Sequence, residues 1–213
     1  MNNVTKRSLV SMRNPSQAAE LAAWLAILAT GATIFLLISL HALSPEFSPS
    51  WRVISEYAFG HYAWVLSLMF LSWGIGTWAL VVAIWSQVHT NSGKVGLWFL
   101  IIAGTGEAMA SSYALHPPLS TRGTLHVVFG TSQLALLPFA ALLINLSLVR
   151  NNEAWRPTRR LLLWTAGFPL FGFLSFAVYS AIFVFPLGPG AYGPGVNIGW
   201  PPRFAFLTSC CGS

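Results

Sequence analysis

Five stretches of this chain, residues 21–43, 62–88, 95–115, 125–149 and 161–186, are predominantly apolar, and each is long enough to cross a bilayer. About 20 residues at about 1.5 Å of rise span about 30 Å of hydrocarbon, where no water meets the backbone, so each N–H and C=O must be satisfied within the segment or by a closed sheet. A helix does this alone. A strand barrel would show short segments of alternating polarity, and none occurs, so the fold expected is all-α: a polytopic transmembrane helix bundle.

Composition agrees, because 55% of the 213 residues are hydrophobic and 8% are charged, against roughly 25% charged in an ordinary soluble domain. The first run follows a polar, basic segment (Lys6, Arg7, Arg13), as in a signal peptide. It exceeds the roughly 7–15 apolar residues of such leaders and no A-x-A site follows, so it is read as the first helix. No linker or internal repeat divides the chain. The expected organisation is a basic N-terminal segment over residues 1–18 and one membrane domain over 19–213. Residues 186–202 hold ten prolines and glycines and are expected to form a loop. After Arg203 the chain turns apolar again for a short distance, which adds to the five full spans a sixth helix cut short.

The eleven Lys and Arg outnumber five Glu, with no Asp. They lie in short segments between apolar runs rather than along one face, which argues against a nucleic-acid partner and for a topological role. With the N-terminus cytoplasmic, Lys6, Arg7, Arg13, Lys94, Arg150, Arg156, Arg159 and Arg160 fall inside, and Arg52, Arg122 and Arg203 fall outside. The positive-inside rule therefore predicts that orientation.

Polar residues inside the runs are the candidate site. Glu107 lies within the third run, where an ionised carboxylate costs roughly 3 kcal/mol on insertion scales, so it is expected to be paired, solvated or protonated. Ala103, Gly104, Ala110 and Ser111 flank it at helical spacing. Such small residues admit a neighbouring helix and turn Glu107 towards the bundle. His126, Gly130 and Gln133 share one face of the fourth helix, and Gly172, Ser175 and Tyr179 one face of the fifth. Glu56 and His116 lie in segments expected on the same, outer side. Glu107, His126, Gln133, Tyr179, Glu56 and His116 are accordingly the candidate binding residues for a small ligand, cation or proton. The plainer reading is interfacial histidines with a few interhelical hydrogen bonds.

Specific chemistries find little support. No HxxxH, HExxH or CxxC provides metal-ligand spacing, histidines near helix ends suit haem poorly, and no G-x-S-x-G occurs. Neither a catalytic residue nor a cofactor is assigned. Cys210 and Cys211 are adjacent, which excludes a disulfide framework. Besides the lipid bilayer, the partner expected is a small ligand. The alternatives are an accessory subunit packed against a larger membrane complex and an intramembrane enzyme using Glu107, His126 and Tyr179.

Ser55-Glu56-Tyr57, Gly106-Glu107-Ala108-Met109-Ala110-Ser111, His116, Gly123-xx-His126 and Gly199-Trp200-xx-Arg203 occur in that order. In these pieces the chain resembles a family of bacterial and archaeal membrane proteins catalogued as domain of unknown function 998. The resemblance extends over residues 20–210. It implies a bundle of about six helices in a prokaryotic plasma or inner membrane, and no established activity. The chain departs from the family pattern in lacking an Asp after Tyr113 and in its short last helix.

Overall fold

The computed structural model describes residues 16–112, 120–151, 153–188 and 193–212. They form six α-helices: α1 (Gln17–Leu43), α2 (Ala63–Ile84), α3 (Asn91–Ser112), α4 (Thr121–Asn151), α5 (Arg159–Tyr179) and α6 (Trp200–Gly212). No strand occurs among the described residues. Short 3-10 and π segments extend α2 to Gln87 and α5 to Leu187, and α1 to α5 are then all long and apolar enough to cross a membrane. The chain is a multi-pass membrane protein built as an all-α bundle.

Polar caps, rather than the first apolar residue, decide where helices start. The Ser16 hydroxyl accepts the Ala19 N–H (3.2 Å), and Glu20 sits in the first turn of α1, where the helix dipole favours negative charge. Thr90 caps α3 through the Gly93 N–H (3.0 Å), and Ser120 caps α4 through the Gly123 N–H (3.1 Å). Both helices therefore begin ahead of their apolar runs. The loop expected through residue 202 ends sooner, because α6 starts at Trp200 and holds Pro201 and Pro202 in its first turn. Proline is tolerated there, where its missing N–H removes no intrahelical bond.

Each helix packs on the next in sequence, and α6 also touches α1 and α4. Leu21, Trp24, Leu28 and Phe35 of α1 remain more than half exposed, as lipid-facing residues would be. The core gathers Leu40, Met69, Leu97 and Ala103, all nearly inaccessible, and Trp73 of α2 packs on Phe206 of α6 with ring centroids 4.4 Å apart.

The closest approach that bears on the site is between α2 and α3. A Cβ at Gly74 would stand 2.8 Å from the Gly104 carbonyl oxygen and 3.1 Å from the Ala108 nitrogen, and one at Gly104 would stand 2.9 Å from the Trp78 ring. Gly104 and Ala108 thus form the small-residue face against which α2 seats. Gly104→Leu is expected to lower folded yield in detergent and to cost at least about 1–3 kcal/mol by overpacking. Unchanged yield and thermal stability would show that this face is not a helix contact.

Candidate functional site

Glu107 is completely buried and faces the bundle. It is the seventeenth residue of α3 counted from Asn91, and its side chain reaches across to α2, where its Oε2 accepts a hydrogen bond from the Thr77 hydroxyl (2.9 Å). Thr77 is the fifteenth of the 25 residues of the span Ala63–Gln87, close to its middle. The other carboxyl oxygen, Oε1, is also buried and meets no hydrogen-bond partner among the described residues. One turn before Thr77 on the same face of α2, Trp73 presents a buried indole N–H that likewise meets none. An acceptor and a donor are therefore both left over within about one helical turn of each other along α2.

Of the expected α4 stripe, His126 at 6% and Gln133 at 3% exposure are buried too, whereas Gly130 is half-buried with open space beside it. His126 meets Phe70 of α2 edge to face, centroids 6.1 Å apart. Phe70 precedes Thr77 by seven residues, which is about 10 Å along α2. His126 thus lies on a level two turns from the Glu107–Thr77 bond. Tyr179 is half-buried, stacks on Phe183 (5.0 Å) and stands where α5 gives way to the π segment Ser180–Val184. His116 lies outside the described residues.

Glu56 belongs to a separate cluster at the end of the bundle where α1 finishes and α6 begins. Its Oε1 accepts from Arg52 (3.0 Å) and its Oε2 from the Val53 backbone N–H (3.0 Å), while Arg52 stacks over Trp51 (4.1 Å). At the centre is Arg203, only 3% exposed. Its Nε donates to His41 Nε2 (3.0 Å), and its Nη1 donates to the carbonyls of Pro49 (3.3 Å), Arg52 (2.5 Å) and Gly199 (2.9 Å). His41 Nδ1 lies 2.7 Å from the Leu37 carbonyl. That bond assigns the proton to Nδ1 and leaves Nε2 as the acceptor. Tyr57, 1% exposed, packs between His41 and Phe47 and donates its O–H to the Phe47 carbonyl (3.4 Å). Burial raises its phenol above the ordinary tyrosine range, with the Arg203 charge opposing, so the donor proton is retained.

Gly199 lets these elements meet. Its N–H bonds the Ser50 carbonyl (3.0 Å), and a Cβ at this position would collide with the Pro49 and Arg52 carbonyl oxygens. The cluster therefore ties the end of α1, the segment 48–59 and the start of α6 into one knot, from residues that read singly as loop charges and a loop tyrosine.

Among the described residues no group of three His, Cys, Asp or Glu side chains is placed to hold a metal ion. Thr77, Trp73, His41 and the buried state of Arg203 are the features that reading the sequence missed. The pairing of Gly74 and Gly76 beside Thr77 was the available hint of a close helix crossing. Comparison with curated proteins and with solved structures returns no match. Residues 27–210, nearly the whole chain, match the family described as protein of unknown function (DUF998), and the chain belongs to that family.

Proposed function

We propose that this protein binds a small hydrogen-bonding ligand, or a proton, at Glu107 near the middle of the membrane, without catalysing a reaction. The observation that carries this reading is the unmatched Glu107 Oε1, an acceptor with no accessible surface and no donor among the described residues. A buried acceptor left unsatisfied costs about 1–3 kcal/mol. A ligand hydroxyl or amine, or a proton on the carboxyl itself, relieves that cost. Trp73 Nε1 supplies a donor for a ligand that accepts as well as donates, and Thr77 holds the carboxyl in place. His126 and Gln133 are buried further off on α4, and the ring contact of Tyr179 is with Phe183 rather than with this site. Native mass spectrometry of protein extracted from its own membrane tests this: a small-molecule adduct is expected on the wild type and not on Glu107→Leu. No adduct on either, together with a carboxyl infrared band insensitive to pH, would reject the reading.

We further propose that the N-terminus and the α4–α5 connection face the cytoplasm and that the Arg203 cluster faces outward, in a prokaryotic plasma or inner membrane. The eight-to-three distribution of basic residues supports this. Single cysteines introduced at the exposed positions Glu153 and Asn197, with Cys210 and Cys211 replaced by Ser, provide the check. An impermeant maleimide added to intact cells is expected to label Asn197→Cys only. Labelling of Glu153→Cys instead reverses the topology.

A further inference from the structure

A cleft of about 580 Å³ runs between α1 and α2, within the roughly 300–1,000 Å³ range of small-molecule sites. Ala23, Ala26 and Thr30 of α1 and Thr77, Leu80 and Ala83 of α2 form its walls, and Cys210 of α6 lies behind it. It opens sideways past Ile27, which is 60% exposed.

The cleft is graded along its length. Its lining on α1 begins at Ala19, two residues after the helix starts, and ends at Thr30. Eleven residues of helical rise amount to about 16 Å, and half of a hydrocarbon core about 30 Å thick is about 15 Å. The cleft therefore extends from one membrane surface to the mid-plane and stops there. Its surface end is its polar end. Glu20 is exposed there, and the Trp155 indole N–H donates to the Gln87 side-chain oxygen (2.8 Å). An amide–indole pair of this kind suits the headgroup level, where Trp is enriched. Below it the lining is apolar until Thr30 and Thr77 at the deep end, and the Thr77 hydroxyl is already committed to Glu107.

From this match of length, polarity gradient and volume we infer that the cleft is a binding site for one acyl chain of a phospholipid from the leaflet at the α1 N-terminal end, with its headgroup at the Glu20–Gln87–Trp155 rim. The small side chains of Ala19, Ala23 and Ala26 recess the wall so that a chain lies within the bundle outline rather than on its surface. The exposed Leu21, Trp24 and Leu28 on the same helix meet ordinary bilayer lipid. This site stands apart from the ligand reading at Glu107, since a hydrocarbon chain offers nothing to a carboxyl oxygen.

The test reconstitutes the full chain into vesicles of equal parts phosphatidylethanolamine and phosphatidylglycerol, doped with a phospholipid carrying a diazirine at the end of one chain. After illumination, cross-linked peptides are mapped by mass spectrometry. Cross-links at Thr30 and Thr77 are expected several-fold above those at the lipid-facing Phe35. Ala23→Phe, which fills the cleft, is expected to reduce the first set several-fold and leave Phe35 unchanged. Equal labelling of cleft and lipid-facing residues in the wild type, or a cleft signal indifferent to Ala23→Phe, overturns the proposal. Should Ala23→Phe not fold, the wild-type ratio of Thr30 to Phe35 labelling decides by itself. Cleft labelling that is intact in Glu107→Leu keeps this site even if the Glu107 reading fails.

Discussion

Arg203→Ala is expected to be the most damaging single substitution outside the hydrocarbon-facing helices. The guanidinium is almost inaccessible and holds His41 together with three carbonyls belonging to two different segments. Removing it strands these acceptors in a closed space, and breaking a buried charged network in this way costs about 3–5 kcal/mol, a fall in Tm of roughly 6–20 °C for a chain of this size. Lysine is not expected to rescue it. A single ammonium lacks the planar fork that addresses His41 through Nε and the carbonyls through Nη1 at the same time. The damage should also be local first: hydrogen exchange at the Gly199 amide, which bonds the Ser50 carbonyl, is expected to accelerate before exchange in α2 and α3 does. An Arg203→Ala protein melting within about 2 °C of wild type, which corresponds to less than about 1 kcal/mol, would mean that the knot is ornamental.

The knot also shows where reading the sequence stops. The five spans are legible because length and apolarity are properties of contiguous residues, and the bilayer enforces both. Glu107 is legible for the same reason, since one carboxylate in an apolar run is conspicuous. Its partner is not. Thr77 lies 30 residues away in another run, and a threonine among apolar residues carries no mark of the helix crossing that Gly74 and Gly104 permit. Arg203 reads as one of three basic residues in the outer loops, yet its hydrogen bonds go to His41 and to backbone carbonyls, acceptors that every residue possesses and no pattern reveals. The start of α6 was obscured by its own prolines, which usually end a helix but are accommodated in its first turn. Glu56, grouped with Glu107 by side of the membrane, is already satisfied by Arg52 and the Val53 amide in the knot.

Whether Glu107 binds a ligand or only tethers two helices is decided by comparing two substitutions at its one hydrogen bond. Thr77→Val keeps the side-chain shape and removes the donor, so both carboxyl oxygens are left without a partner among the described residues. The expected loss is about 1–3 kcal/mol. Glu107→Leu removes the group that is already half unsatisfied and fills its place with an apolar side chain. The Thr77 hydroxyl then turns to the carbonyl four residues back on its own helix, Trp73, as helical threonines readily do. Replacing a buried polar group with an apolar one of similar volume is neutral or stabilising by up to about 1–4 kcal/mol, so Glu107→Leu is expected to melt at or above the wild-type temperature while losing its bound adduct. The double variant should match Glu107→Leu alone, because Thr77→Val has nothing left to strand once the carboxyl is gone. A tether gives the opposite pattern: Glu107→Leu destabilised as much as Thr77→Val, with no adduct to lose. Thermal melts of the four proteins in one detergent, read beside their native mass spectra, separate a residue retained for binding at the expense of stability from one retained for packing.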